Sequence, residues 1–317
     1  MGKCLDCEKR KMKILITGAA GFIGSHTANL LIERGHRVMA VDNFSTGRTE
    51  NLVGFRGKIC PCDITDMEML EKCFSEFRPD AVLHLAAQSA ITTSYDDPQH
   101  DMKTNGIGTL NLLNLSKRYK VKRFVFSSTS AVYREVESFL HLGIRENAKC
   151  EPVSPYGISK MACEQYIRLM FPNYFIMRFG NVYGPRQLPI GQNLVIARAL
   201  DHFFKGADFE VNGHGNQKRD FVYVGDVAQC CFEALTSDVV GTFNVSAGRS
   251  YSVNEVLSEI EKIFDVQGYA WVHNKNIDPR NYVGLDVSSI RKELGWKAYT
   301  PLVDGLKLTA DWWEEQK

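Results

Sequence analysis

The stretch KILITGAAGFIGSHTANLLIERGHRVMAVD, from Lys13 to Asp42, decides the fold of this chain. A short apolar run, KILIT, leads into the glycine-rich GAAGFIG, and SHTANLLIERG then repeats apolar residues at helical spacing until Gly35. A second apolar run, RVMAV, ends at Asp42. The order of strand, glycine turn, helix and strand is typical of a dinucleotide-binding unit with a pyrophosphate site at the helix N-terminus.

The three glycines and the aspartate of this stretch predict the cofactor. Gly18 permits the tight turn, Gly21 lets backbone amides approach a pyrophosphate, and Gly24 allows the helix to pack closely on the strand. Asp42 stands at the distance expected of a carboxylate that accepts hydrogen bonds from a ribose 2′-hydroxyl and repels a 2′-phosphate. NAD is therefore predicted over NADP. The alternative for Asp42 is that it is a solvated aspartate at a strand end with no role in binding.

The alternation of strands and helices continues beyond Asp42. Candidate strands and helices follow one another in GKICPCDI, DMEMLEKCFSEF, DAVLHLAA, GTLNLLNLSKRY and RFVFSST. This order predicts an α/β protein with a Rossmann-like, doubly wound parallel sheet, whose ligands lie at the carboxyl ends of the strands. Asp63, Ala86, Ala87 and Thr129 all fall at such ends, which favours a common site over ordinary loop positions.

Composition limits the classes of partner. The 317 residues are 44% hydrophobic and 24% charged with a net charge of +1, which suits a globular protein with an ample core. No basic block recurs beyond the first 13 residues, so neither nucleic acid nor a membrane surface is a predicted partner. A small-molecule substrate is expected.

The cysteines and the N-terminal segment predict a cytoplasmic location. No apolar run approaches the roughly 20 residues that cross a bilayer, and MGKCLDCEKRKMK lacks the apolar stretch of a secretory signal. Nine scattered cysteines indicate reduced thiols. An alternative is a four-thiolate zinc site made by Cys4, Cys7, Cys60 and Cys62, but a tail and two strand cysteines, with no metal, are the leading interpretation.

A tyrosine and a lysine stand four residues apart in SPYGISK, from Ser154 to Lys160. On a helix this spacing puts Tyr156 and Lys160 on one face. The pair alone is a weak signal, since about one such pair is expected by chance in this composition. Its meaning depends on the rest of the chain.

Nine stretches together resemble the extended short-chain dehydrogenase/reductase family, and within it the NAD-dependent nucleotide-sugar epimerases and dehydratases, especially UDP-glucose 4-epimerase-like members. They are TGAAGFIGSH, VDNFSTGRTENL, CDITD, HLAAQSA, FSSTSAVY, SPYGISKMACE, RFGNVYGPRQ, RDFVYVGDVA and KELGW, in the family's order and over nearly the whole chain. An ordered series of this length is far more specific than any one motif.

The resemblance implies a division of the chain and a catalytic group. Residues 1–11 would form an N-terminal tail, residues 12–180 mainly an NAD-binding Rossmann domain, and residues 181–317 mainly a smaller α/β nucleotide-sugar lobe, with some segments returning to the Rossmann sheet. Thr129, Tyr156 and Lys160 match the family's catalytic residues. A nearby ammonium and the positive nicotinamide would favour the phenolate of Tyr156 at neutral pH.

The resemblance also implies the binding residues. Cofactor contacts are expected from Gly18, Gly21, Phe22, Ile23, Gly24, Asp42, Asn43, Ser45, Thr46, Gly47, Asp63, Ile64, Leu85, Ala86, Ala87, Gln88, Asn105, Ser127, Ser128, Tyr156 and Lys160. Substrate contacts are expected from Ser89, Thr129, Asn181, Asn193, Leu194, Arg219 and Arg280. Alternatives are that Asn181 caps a turn and that Arg219 pairs with Asp220.

The predicted activity is C4 epimerisation of a UDP-hexose, glucose/galactose or N-acetyl forms, through a transient 4-keto sugar. The rivals are a 4,6-dehydratase, which commonly has Asp-Glu where Ser130 and Ala131 stand, a 4-ketoreductase, and a non-catalytic NAD-binding scaffold. The segment around Arg280 is shorter than in many epimerases, and Arg134 replaces a common glycine. Family resemblance further implies a homodimer through helices around residues 105–119 and 156–171.

Overall fold

A computed structural model of the chain describes residues 11–134, 143–189, 194–266, 271–274 and 282–316. In chain order the elements are β1 (Lys13–Thr17), α1 (Phe22–Glu33), β2 (Arg37–Asp42), β3 (Lys58–Pro61), α2 (Met67–Phe77), β4 (Ala81–His84), α3 (Ile91–Asp96), α4 (Pro98–Met102), a π-helical turn (Lys103–Ile107), α5 (Gly108–Arg118), β5 (Arg123–Thr129), α6 (Pro155–Met170), β6 (Tyr174–Phe179), β7 (Asn181–Tyr183), α7 (Val195–Lys205), β8 (Phe209–Asn212), β9 (Lys218–Tyr223), α8 (Val224–Thr236), β10 (Gly241–Val245), β11 (Ser250–Ser252), α9 (Val253–Ile263), β12 (Trp271–Asn274), β13 (Tyr282–Val283), α10 (Ser288–Glu293) and α11 (Leu302–Glu315).

A seven-stranded parallel sheet in the order β10-β6-β5-β4-β1-β2-β3 confirms the predicted fold class. Thr17, the last residue of β1, stands opposite Val41 of β2 and His84 of β4. The carboxyl ends of these three strands therefore meet at one edge. The strand order reverses between β1 and β4, which is where doubly wound sheets bind ligands.

The sheet is buried on both faces. In β1, Ile14 and Ile16 belong to a core with Leu31 of α1, whereas Leu15 belongs to a second core with Phe74 of α2. Alternate residues of the strand thus point to opposite faces, and both faces are covered by helices. The continuous apolar run of KILIT follows from this double burial.

The later part of the chain builds smaller sheets. Strand β9 pairs with β7, β11 and β13, and β8 pairs with β12. Their core contains Phe221, Leu200 of α7, Leu257 of α9 and Leu306 of α11. Strand β10, however, lies at the edge of the seven-stranded sheet, so the chain returns there after residue 181.

The cysteines are paired in one place where reduced thiols are expected from the sequence. A disulfide joins Cys60 of β3 to Cys73 of α2, with the two Cα atoms 6.9 Å apart. The expectation failed because the count of cysteines carries no information on which strand and helix lie side by side. Cys60 in this bond offers no thiolate to the alternative zinc site, and Cys4 and Cys7 lie outside the described residues.

Across the described ranges, no helix combines the length and the apolar character needed to cross a bilayer.

Candidate active site

The glycine turn after β1 has the geometry that a dinucleotide pyrophosphate requires. Gly18 has φ +70°, and its amide donates to Val41 O at 2.9 Å. A Cβ at Gly24 would lie 2.0 Å from Gly18 O, so only glycine lets α1 come this close. Gly21 is the N-cap of α1 and provides no side-chain cap. Phe22 and Ile23 form the first turn, whose backbone amides can bind an anion.

Asp42 closes the other side of this turn. Its side chain is 8% exposed, so the alternative of a solvated aspartate is wrong. One carboxylate oxygen accepts from the Ala20 amide and the other from the Phe44 amide, both at 2.8 Å. A Cβ at Gly47 would lie 2.7 Å from Asp42 Oδ1. The carboxylate is thus fixed beside the glycine turn, and these residues fit NAD.

The segments after β2 and β3 meet beside Asp42. Asn43 Nδ2 donates to Asp63 Oδ2 at 2.8 Å, and Ser45 Oγ donates to Asn43 Oδ1 at 2.7 Å. Burial raises the pKa of Asp63, but hydrogen bonds from Thr65 and Asn43 outweigh it and leave a net lowered pKa. Three further residues expected to contact the cofactor lie in these two segments beside the bonded ones, namely Thr46, Gly47 and Ile64.

Polar side chains of β1 and of the π-helical turn form hydrogen bonds with the loop that follows β4. The Ala86 amide donates to Thr17 Oγ1 at 3.2 Å, and the same hydroxyl is 2.7 Å from Nδ1 of buried His84. The Gln88 amide donates to Asn105 Oδ1 at 2.9 Å. Leu85, Ala87 and Ser89 lie in the same loop. It therefore runs along the carboxyl end of the sheet in a defined conformation.

The structure brings Thr129 and Tyr156 together. Thr129 ends β5, and Tyr156 lies in the first turn of α6, which Ser154 caps through its hydroxyl and Pro155 opens. Desolvation raises the pKa of Tyr156 to about 12, although a hydrogen bond from Thr129 opposes the rise. Two members of the predicted catalytic group, Thr129 and Tyr156, therefore lie close together.

Lys160 lies one helical turn after Tyr156 and is buried. Its ammonium is 4.3 Å from the centroid of the Phe126 ring. Desolvation lowers the pKa of Lys160 to about 8, with Cys163, Asp101 and Glu164 acting in the opposite direction. An ammonium with this pKa is mostly protonated at pH 7.

Ser127 and Ser128 of β5 both donate hydrogen bonds to other groups of the protein. Ser127 Oγ donates to His84 O at 3.1 Å, and Ser128 Oγ donates to Glu164 Oε1 at 2.5 Å. Glu164 also pairs with Arg178 of β6. Ser128 therefore contacts a buried ion pair, whereas Thr129, the next residue, contacts Tyr156.

A separate, partly open cleft lies in the later part of the chain. Three of the expected substrate residues line it, Asn181, Leu194 and Arg219. Arg219 is 7% exposed, and its neighbour Asp220 accepts hydrogen bonds from backbone amides that include those of Ala247 and Leu285. The expected residues Asn193 and Arg280 lie outside the described residues.

Several residues near these sites escaped the sequence analysis. His84, Glu164 and Asp101 are buried around α6, and Arg198 and Gln217 line the cleft. A signal existed for Glu164, since it follows Lys160 by four residues and so shares its helix face. The strand-end position of His84 offered a similar signal, whereas the contacts of Asp101 depend on a π-helical turn.

Comparison with known proteins gives a family. Residues 14–246 match the NAD dependent epimerase/dehydratase family. A crystal structure of UDP-glucose 4-epimerase with UDP-glucose from Thermotoga maritima is 37% identical, with a TM-score of 0.90 over 96% of this chain and 99% of that chain.

Two further matches concern the cofactor and the reaction. A UDP-glucose 4-epimerase from Thermus thermophilus, solved as a complex with NAD, is 34% identical, with a TM-score of 0.87 over 96% of this chain and 99% of that one. A dTDP-glucose 4,6-dehydratase from Neisseria gonorrhoeae is 30% identical over 97% of each chain.

Proposed function

This chain belongs to the NAD-dependent epimerase/dehydratase family and is an NAD-dependent nucleotide-sugar epimerase, and from this premise we propose that it inverts carbon 4 of a UDP-hexose. The observation that carries the proposal is that Thr129, at the end of β5, and Tyr156, in the first turn of α6, lie close enough for the threonine hydroxyl to lower the pKa of the phenol against the effect of burial, with Ser130 and Ala131 next along the chain. Glucose/galactose and their N-acetyl forms are the proposed sugars.

In this proposal Tyr156 removes and returns the proton of the sugar 4-hydroxyl. NAD, when bound, supplies reversible hydride acceptance, so the reaction needs no net oxidant. Desolvation opposes both the phenolate of Tyr156 and the ammonium of Lys160, and the two charges stabilise each other when they form together. The Thr129 hydroxyl keeps the reacting oxygen in line with Tyr156.

The remaining residues hold the substrate while its sugar turns. The 4-keto sugar must present its other face before the hydride returns, so the nucleotide must stay bound while the sugar ring moves. Arg219 and Asn181, which line the cleft, would hold the diphosphate, because a guanidinium binds phosphate oxygens in pairs. A fixed nucleotide and a mobile sugar are what epimerisation requires of these residues.

The residues after Thr129 argue against the dehydratase alternative. Elimination of water across C5 and C6 needs an additional acid and base, and neither Ser130 nor Ala131 can act as an acid at neutral pH. Asp42, fixed beside the glycine turn, opposes the 2′-phosphate of the cofactor that 4-ketoreductases usually consume. The Thr129, Tyr156 and Lys160 group argues against a non-catalytic scaffold.

The test is proton NMR of the purified protein in D2O with UDP-glucose, UDP-galactose and their N-acetyl forms, without added NAD. Appearance of the C4 epimer without deuterium incorporation is expected. Tyr156→Phe should lower turnover by about 10²- to 10⁴-fold while NAD stays bound, and Tyr299→Phe, at an exposed tyrosine, should not. Deuterium at C5 with loss of water, or a fully active Tyr156→Phe, would overturn the proposal.

The proposed assembly is a cytoplasmic homodimer, in which residues 12–180 mainly bind NAD and residues 181–317 mainly bind the nucleotide sugar. Ile158, Tyr166 and Leu169 are exposed on one face of α6, with Leu169 83% exposed, and Ile107 is exposed on the π-helical turn. Such a patch favours association. Light scattering after size exclusion should give twice the chain mass, and Leu169→Glu should give the monomer; a monomeric wild type contradicts the assembly.

A further inference from the structure

Asp101 of α4 is a buried carboxylate with only one of its oxygens paired. The residue is 1% exposed. Oδ1 accepts from Gln88 Nε2 at 2.8 Å and from Asn105 Nδ2 at 3.2 Å. Oδ2 is buried and has no hydrogen-bond partner within the described part of the chain. A buried anionic oxygen without a donor costs free energy, so its position requires an explanation beyond stability.

Hydrogen bonds connect Asp101 to the helix that carries Tyr156 and Lys160. Asn105, within the π-helical turn, donates from Nδ2 to Ser159 Oγ at 3.0 Å. Ser159 Oγ donates in turn to Tyr156 O at 3.0 Å. Asp101 is thus two side chains away from the backbone of Tyr156. A single turn of π-helix of this kind is frequent at functional sites.

The same carboxylate also fixes the loop after β4. Gln88 donates its side-chain amide to Asp101, while its backbone amide donates to Asn105 Oδ1 at 2.9 Å and its carbonyl accepts from Asn105 Nδ2 at 3.1 Å. Loss of Asp101 would leave both amide side chains without their common acceptor. The loop that runs past the glycine turn and α6 would then lose a shared anchor.

The charge of Asp101 acts on Tyr156 and Lys160, which are here called the catalytic pair. After desolvation and the Thr129 hydrogen bond, Asp101 is the next contributor to the pKa of Tyr156, which it raises. It also raises the pKa of Lys160 against the effect of desolvation. The other titratable or hydrogen-bonding groups that face the pair are His84 from β4, Thr129 from β5, and Cys163 and Glu164 from α6.

All four of these groups are neutral or already paired: Thr129 is a hydroxyl, and burial raises the pKa of the Cys163 thiol. Burial lowers the pKa of His84 well below its usual value, so the ring is uncharged at pH 7. Glu164 is neutralised by Arg178. The carboxylate of Asp101, whose described partners are the neutral amides of Gln88 and Asn105, therefore exerts its negative charge with less compensation.

We propose that Asp101 is a positioning residue for the catalytic pair, which fixes α6 and the loop after β4 through Asn105 and Gln88 and places an unpaired, buried carboxylate oxygen two side chains away from the backbone of Tyr156. The inference rests on the proposed function, since it takes Tyr156 as the base. It adds a carboxylate that opposes premature formation of the phenolate. A role in controlling proton transfer would explain why the free-energy cost of the unpaired Oδ2 is tolerated.

The test compares two substitutions with a matched control. Asp101→Asn removes the charge and keeps an amide oxygen that can accept from Gln88 and Asn105, whereas Asp101→Leu removes both. Asp96→Asn, at the exposed end of α3, is the control. Tyrosine labelled with ¹³C at Cζ is incorporated into the NAD-bound protein, and the Tyr156 signal is assigned by its loss in Tyr156→Phe. The signal is followed from pH 6 to pH 10.5, together with kcat for UDP-glucose.

In Asp101→Asn, the Tyr156 signal should move toward its ionised position at lower pH than in the wild type. The ratio of kcat at pH 6 to kcat at pH 8 should rise about two- to five-fold, because the acid limb of the profile shifts to lower pH. Asp101→Leu should show the same change in the NMR signal and in addition an about tenfold or greater loss of kcat, because the loop and helix lose their anchor. Asp96→Asn should match the wild type.

An Asp101→Asn protein whose Tyr156 signal and kcat ratio coincide with those of the wild type would overturn the charge role. An Asp101→Leu protein with unchanged kcat would overturn the positioning role; if that variant fails to fold, the kcat of Asp101→Ala decides it in the same way. Absence of turnover in every protein, with a Tyr156 signal that still shifts in Asp101→Asn, would refute the proposed function and leave the inference on Asp101 intact.

Discussion

The carboxylates of Glu164, on α6, and Asp101, on α4, are both buried near Tyr156 and Lys160, yet their surroundings differ. Glu164 is fully enclosed and accepts from Ser128, from two nitrogens of Arg178 at 2.9 and 2.6 Å, and from Arg168 at 2.7 Å. Asp101 accepts two neutral amide donors on one oxygen. One carboxylate is surrounded by cations and the other by amides.

This difference separates a structural charge from one that can act on a neighbour. Burial raises the pKa of Glu164, but the hydrogen bonds and charge of Arg178 outweigh it, so the net pKa is lowered. Glu164 is not among the groups that act on the pKa of Tyr156, and among those that raise the pKa of Lys160 it comes after Cys163 and Asp101. Burial alone therefore does not identify a carboxylate that tunes catalysis; the number and charge of its donors must be counted as well.

Removal of the Glu164 carboxylate should have the largest effect on stability. Glu164→Leu leaves Arg178, 3% exposed, as an uncompensated buried cation, so the free energy of unfolding should fall by about 3–5 kcal/mol. Urea unfolding measures this change. The double variant Glu164→Leu with Arg178→Met should recover a large part of the lost stability.

The control for this test is Glu68→Ala. Glu68 pairs with Lys72 at an exposed position, so its loss should change the free energy of unfolding by less than about 0.5 kcal/mol. A loss below about 1 kcal/mol in Glu164→Leu would refute the structural role.

A second test uses pH. Because the folded pKa of Glu164 is lowered, its ionised form contributes stability that is present above the ordinary carboxyl pKa and is lost as pH falls through the folded pKa. Glu164→Gln should therefore be about 1–3 kcal/mol less stable than the wild type at pH 7, and the gap should narrow once the pH is taken below about 4.5. Urea midpoints at pH 7, 5 and 4 give the gap, and a gap that widens on acidification would contradict this sign.

The smallest effect is expected at Arg168, the outer partner of Glu164. Its side chain is 29% exposed, and it also donates to Thr242 Oγ1 at 2.9 Å. Arg168→Ala should lower the free energy of unfolding by about 0.5–1 kcal/mol, since Arg178 still neutralises the carboxylate. The kcat ratio between pH 6 and pH 8 should not change. A shift of that ratio as large as that of Asp101→Asn would mean that Glu164 also acts on the catalytic pair.

Local pattern predicted the parts of the molecule that depend on local geometry. The glycine spacing around Gly18 and the strand end at Asp42 appear in the structure where the sequence places them, because turn conformation and strand period are set by adjacent residues. Tyr156 and Lys160 follow from the same logic, since they share one helix. The fold class was predictable for this reason.

Contacts between distant segments were not predictable from pattern. Arg178 meets Glu164 only because β6 lies beside β5 and under α6, and Cys60 meets Cys73 only because β3 packs beside α2. The helix before Gly108 also begins earlier than the apolar spacing of GTLNLLNLSKRY indicates, at Pro98, and passes through the π-helical turn. That turn changes the register of the helix, so a period of 3.6 residues could not place Asn105.

The late return of β10 to the seven-stranded sheet has a consequence for synthesis on the ribosome. Strand β6 ends at Phe179, and its partner β10 begins only at Gly241, so about 60 further residues must be made, which takes roughly 3–12 s at typical elongation rates. During that interval β6 is an open edge, able to pair with another nascent chain. Neighbouring ribosomes on the same messenger, and chaperones that bind exposed strands, should therefore affect the yield of this protein most strongly before β10 has been made.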